Sequence, residues 1–160
     1  MRNPLAKVMF LICSLKNTMI IIKTLKKIKL SELDDEKYHE IIDSLDLSSL
    51  GNDTYTIHAY YKRNIIVYGE TIIIYVLRVR SKTTGKTHAV ILECMLPFFR
   101  FCCDDIIAVV KNEDRSVTSS SNYYRIRKTF ASLLSFSYDE VCSFIASARN
   151  IPLIFLTATT

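Results

Sequence analysis

Apolar residues recur in two different rhythms along this chain. Tyr38, Ile41, Ile42 and Leu45 fall at i, i+3, i+4 and i+7, which places them on one face of a helix. Ser31 reads as its N-cap, with Glu32, Asp34 and Asp35 in the first turn and the remaining acids on the solvated face. From Thr54 the rhythm changes. The stretch YTIHAYYKRNIIVYGETIIIYVLRVR is rich in Ile, Val, Thr and Tyr, which suit a pleated surface. Turns at Gly69-Glu70 and at Gly85 divide it into three antiparallel strands near 55–67, 71–80 and 87–94. After Pro97 the pattern becomes helical. Asp104-Asp105 starts a short helix through about Lys111. Tyr123, Ile126, Phe130, Leu133 and Leu134 space as a second. Ser137 caps a third, with Tyr138, Val141, Cys142, Ile145 and Ala148 inward. The tail IPLIFLTATT either docks as an edge strand or is a ragged end. The fold class expected is therefore α+β: an N-terminal helix, a three-stranded antiparallel meander, then two or three short helices.

Composition narrows the class. With 160 residues, three Gly and three Pro, the chain suits one domain or two small ones and contains no long flexible linker; SVTSSSN at 116–122 is a polar connection. The net charge of +5 is unevenly spread. Seven acids fall between Glu32 and Asp46, where Lys37 is the only Lys or Arg. The rest of the chain carries 20 basic residues against 9 acidic, a balance of +11. An acidic helix on a basic body fits an anionic partner such as nucleic acid, and it also fits a solubilising surface. The five Cys are odd in number and lack C-x-x-C spacing, so reduced thiols in a cytoplasm are expected.

At the N-terminus, the apolar run Val8 to Leu15 is too short to span a bilayer, and no A-x-A cleavage site follows it. Residues 1–18 read as an upstream extension, with either Met1 or Met19 as the start. Lys23, Lys26, Lys27 and Lys29 after Met19-Ile20-Ile21-Ile22 also suit a membrane-surface segment, although a membrane partner is not the expectation.

Candidate chemistry centres on RVRSKTTGKTH at 78–88. Arg78, Arg80 and Lys82 alternate with Val79 and Ser81, which puts three cations on one strand face. Gly85-Lys86-Thr87 echoes the end of a phosphate loop, but position 80 is Arg where Gly is required, and a strand follows where a helix should. No G-x-S-x-G element occurs, and the paired carboxylates have no catalytic context.

Three stretches resemble a known family: MIIIKTLKKIKLSELDDEKY at 19–38, IHAYYKRNIIVYGETIIIYVLRVR at 57–80 and GKTHAVILECMLPFFRF at 85–101. They are similar to an uncharacterised bacterial family, a domain of unknown function akin to the N-terminal zinc-ribbon regions of insertion-sequence transposases, which belong to mobile elements. The H-x-Y-Y-x-R and R-V-R-x-K-x-x-G-K-T-H elements carry the resemblance, which covers about half the chain well. It implies a zinc-ribbon-like meander over residues 19–101; the helical, helix-turn-helix-like region over 102–150 and the apolar tail over 151–160 follow from the residue patterns. It also implies four Cys ligands. Here those positions hold Ser81 and Thr84 and, by a looser alignment, Leu47 and Leu50. Without thiolates the ribbon is expected to hold no metal and no other cofactor. A rebuilt site from His58, His88 and Cys94 is the alternative.

These observations lead to a non-catalytic, DNA-binding module without a small-molecule substrate. Lys62, Arg63, Arg78, Arg80, Lys82 and Lys86 would contact phosphates from the ribbon, and Arg125, Arg127 and Lys128 from the second helix. Tyr60 and Tyr61 are expected to be core before they are base-packing. The alternatives are a decayed, ligand-free interaction remnant, or a regulator pairing with a copy of itself or an intact relative through a strand edge.

Overall fold

A computed structural model describes residues 19–24, 28–48, 53–67, 69–113, 119–133, 137–149 and 153–158. Residues 1–18, Lys26, Lys27, Leu50 and Leu134 lie outside this set, as do residues 116–118 of the polar connection.

The class is α+β, as the two rhythms indicate, but the arrangement differs from the one expected. Strand β1 (Met19–Thr24) precedes the first helix. Helix α1 (Asp35–Asp43) follows, then β2 (Tyr55–Val67), β3 (Glu70–Ser81) and β4 (Thr87–Leu92). Helices α2 (Cys103–Val110), α3 (Ser120–Thr129) and α4 (Tyr138–Arg149) lead to β5 (Leu153–Ala158). The three central segments are strands and pair antiparallel, β2 with β3 and β3 with β4. They do not form a free-standing ribbon. They are one side of a five-stranded mixed sheet in the order β2-β3-β4-β1-β5, with β1 parallel to both β4 and β5. The apolar tail is thus an edge strand.

Strand β1 explains the correction. Ile20, Ile21 and Ile22 are each fully buried. Such a continuous apolar run marks a strand covered on both faces in a parallel setting, and neither helical nor period-2 counting detects it. Buried residues at 19–22 are also unavailable to a membrane surface. Among the described residues, no helix is long and apolar enough to cross a membrane.

Helix α1 begins later than its acids suggest. Leu30–Glu32 forms a 3₁₀ turn, and Asp34 is the N-cap, accepting from the Lys37 amide at 2.7 Å. The acidic face is not all solvated. Asp35 accepts the Tyr75 amide of β3 at 2.7 Å. One turn on, the Tyr38 hydroxyl accepts from the Leu77 amide at 2.9 Å and donates to the Val90 carbonyl at 2.7 Å. The β3–β4 ladder runs only over Arg78–Ala89, Val79–His88 and Arg80–Thr87. Beyond it the strands part, and α1 supplies the hydrogen bonds that the open ladder would otherwise lack.

Helices α2 and α4 follow their expected bounds closely, whereas α3 ends at Thr129, so Phe130 and Leu133 reach the core from the turn beyond it. Ser137 caps α4, accepting from Glu140 N at 3.2 Å, while Ala148 is exposed and Ala146 is buried in its stead. Asn112 has a left-handed backbone (φ 60°) just beyond α2. Its side-chain oxygen accepts from Tyr123 Oη at 2.7 Å and Arg127 Nη1 at 3.1 Å, which ties α3 to the end of α2.

Candidate nucleic-acid interface

The β2–β3 register decides which side chains share a face. Directly paired residues point the same way, so Ala59 and Arg78, Tyr61 and Val76, and Arg63 and Ile74 lie together. The pairing continues to Ala89 on β4 and Met19 on β1. One half of this face is filled by buried Ile65, Ile74, Ile21 and Ile91. The other half is open and forms the floor of a cleft of about 700 Å³. Four of its lining residues are cationic and none is acidic; Arg63, Arg78 and Arg100 line it, while Lys62 pairs with Tyr75 and projects from the opposite face of the edge strand. Tyr61, Phe98 and Phe99 interleave with them. A second, smaller cleft of about 310 Å³ adjoins it, sharing Phe98, Phe99 and Arg100 and adding Arg125 of α3.

The predicted cations do not all act alike. Arg78 is exposed and its guanidinium sits 4.9 Å from the Tyr61 ring centroid, a cation–π contact that leaves its outer edge to solvent. Arg63 is turned inward. Its terminal nitrogen donates to the carbonyls of Leu96 and, at 2.9 Å, Phe99, so it pins the 96–100 loop that forms the cleft wall. Arg80 shares the Arg78 face, and its Nε donates to the Gly85 carbonyl at 3.0 Å. Lys82 lies past the end of β3, in the turn, so the expected row of three cations is a row of two. Lys86 is half-buried in that turn, and neither Lys82 nor Lys86 lines the cleft. On α3, Arg125 joins the second cleft, Arg127 is engaged with Asn112 and lies 5.8 Å from the Tyr123 ring, and Lys128 is exposed. Tyr60 is 43 % exposed and not core. Arg100 was not singled out by sequence. Its signal was the run PFFR, a cation beside aromatics, which is how single-strand binders mix charge with stacking surface.

The turn that resembled a metal knuckle is held by a carboxylate. Asp53 accepts from the Ser81 hydroxyl, from Thr83 Oγ1 at 2.7 Å and from Thr54 N at 2.7 Å. Ser81 Oγ in turn accepts from Thr84 N at 3.0 Å. Leu47 packs against the core, and its carbonyl accepts from Tyr55 N at 3.0 Å. Hydrogen bonds accepted by Asp53 thus close the 81–84 turn onto the start of β2. His88 is buried, with its ring 5.8 Å from that of Tyr55, whereas His58 is exposed at the irregularity in β2. Among the described residues, no three His, Cys, Asp or Glu side chains gather at metal-binding range, so His58, His88 and Cys94 do not form the alternative site.

Partial burial pushes the Asp53 carboxyl up, but hydrogen bonds from Ser81, Thr83 and Thr54 outweigh it and hold it below the ordinary value. A depressed carboxylate stabilises above its unfolded value near 3.9, and the contribution is lost as pH falls through the lower folded value. Asp53→Ala is expected to cost about 1 kcal/mol at pH 7, discounted for solvent exposure, and to cost less as pH drops below about 4. Thermal unfolding from pH 7 to 3 measures this; a pH-independent difference would dismiss the carboxylate's role. Chelator is expected to leave the same midpoint unchanged.

The class defined so far is an α+β protein with a basic, aromatic-lined cleft on the open half of a mixed sheet. No family model, curated protein or solved structure matches the chain.

Proposed function

We propose that the chain is a non-catalytic nucleic-acid-binding module whose cleft engages the phosphate backbone. One observation carries this reading: three arginines, Arg63, Arg78 and Arg100, line one cleft that contains no acid, interleaved with aromatics. Like charges brought together on one surface repel, and a polyanion relieves that cost. Descent from a transposase zinc ribbon rests on the quoted motifs alone, and the proposed binding does not depend on it.

Binding to a labelled duplex or single strand, followed by fluorescence anisotropy, tests the reading. Micromolar affinity is expected at about 50 mM salt, with little sequence preference. If about four to six cations engage a duplex, log K against log[salt] falls with a slope of roughly −4 to −5. No binding to any nucleic acid at that salt removes this function.

A second reading has its own observation. Ile57, Tyr60, Ile73 and Tyr75 are exposed on the other face of the β2–β3 hairpin, at the sheet edge. Apolar groups beside an open strand edge suit a protein partner, either a second copy or a relative. Binding-negative protein that elutes as a dimer would favour it.

A further inference from the structure

Phe98 has a left-handed backbone (φ 61°) with no glycine to make it easy, and its side chain is 41 % exposed. A bulky residue held in this region is strained, and such strain persists only where neighbouring structure imposes it. The imposing structure is visible: Pro97 precedes Phe98, and Arg63 grips the carbonyls of Leu96 and Phe99 on either side. The loop is thereby fixed with an aromatic ring on the ridge that both clefts share. Arg78 lies on one side of that ridge, and Arg125 lies on the other.

From this geometry we infer that the ligand of the cleft is an unpaired strand, and that Phe98 is the platform on which one of its bases stacks. The inference rests on the nucleic-acid reading and deepens it. A cleft of about 700 Å³ has the capacity that encloses a small ligand. It suits a nucleotide or two, whereas a duplex meets only the rim. Every base has a π face, so stacking on one ring gives affinity without sequence preference, while the flanking guanidinium groups follow the phosphates. Arg63 acts as a positioning residue, because its hydrogen bonds hold the ring's loop.

The test compares Phe98→Gly with the parent chain on a 20-mer oligothymidine, a 20-mer oligouridine and a duplex of mixed sequence. Glycine suits a positive φ, so the variant is expected to unfold within a few degrees of the parent. Its affinity for either single strand should fall about tenfold, within the range for one base on one ring, with the salt slope unchanged. Duplex affinity should stay within twofold. Phe98→Trp should keep single-strand affinity, and if the glycine variant does not fold, Phe98→Leu is expected to show the same tenfold loss. Thymidine and uridine strands lost in equal measure indicate base stacking common to both; loss on one alone assigns the site to DNA or to RNA. Unchanged single-strand affinity in a folded Phe98→Gly, while the parent binds, overturns the stacking inference and leaves the basic cleft standing. A parent chain that binds neither strand nor duplex overturns the underlying reading itself.

Discussion

Replacing Tyr38 by Phe is expected to cost about 3 kcal/mol of folding stability although it deletes a single oxygen. That oxygen accepts the Leu77 amide and donates to the Val90 carbonyl where β3 and β4 separate. Both backbone groups are buried, and without the hydroxyl each carries a desolvation cost of about 1–3 kcal/mol. The ring stays in place, so no cavity contributes. Tyr124→Phe is the control, since Tyr124 is 70 % exposed and should change nothing measurable. Chemical denaturation reads both, and a Tyr38→Phe loss below about 0.5 kcal/mol would show that the bridge is not what holds the strands. Burial also pushes the Tyr38 hydroxyl above its ordinary value. A raised folded value means the contribution is complete below the unfolded value near 10 and is lost as pH rises toward the folded one. Burial likewise raises Cys94 to about 12 and Cys142 to about 11, so the parent protein should weaken progressively in alkali.

Neutralising Arg78, Arg100 and Arg125 together is expected to abolish detectable nucleic-acid binding at about 50 mM salt. Each duplex phosphate contact adds about 0.9 to the salt exponent, so losing three makes the slope shallower by nearly three. If affinities converge near 1 M salt, the loss at about 50 mM is on the order of a thousandfold. All three side chains are exposed, and among the described residues none forms an ion pair, so the triple Ala variant should fold normally. The matching Arg80→Ala, Lys82→Ala and Lys86→Ala variant, drawn from cations outside both clefts, should lose far less. Equal losses in both variants would mean that general charge, and not these clefts, attracts the ligand.

The elements were legible where periodicity was local. The apolar spacing in α1 and the Ile/Val/Thr run of β2 and β3 gave elements within a few residues, because both signals arise from one chain segment facing one core. Strand β1 was not legible. Its four apolar residues are short enough for several structures, and what makes them a strand is β4 and β5, whose pairings lie about 70 and 134 residues away. The site divided in the same way. Arg78 was found from charge on a strand, but Arg63 looked identical to it in sequence and differs by reaching two loop carbonyls. Arg100 belongs to an irregular segment held to β2 by Arg63 and by the bridge between Ile66 and Phe101, contacts that no local periodicity announces. Asp53 was missed because its partners, Ser81 and Thr83, lie across a hairpin, and its own neighbourhood is polar turn.

The position of β1 also bears on how the protein is made. It leaves the ribosome before the other four described strands, yet its two neighbours in the sheet are the fourth and fifth strands. The β2–β3 hairpin closes locally, and β4 can then dock, but the second edge of β1 waits for Leu153–Ala158. At about 5–20 residues per second, that wait is on the order of ten seconds. Throughout it, a run of consecutive isoleucines has an unfilled pairing edge, the kind of segment that joins neighbouring nascent chains or recruits a chaperone. Refolding from denaturant should accordingly be slow and concentration-sensitive for a chain of this size, with yield limited by the time that strand spends half-paired.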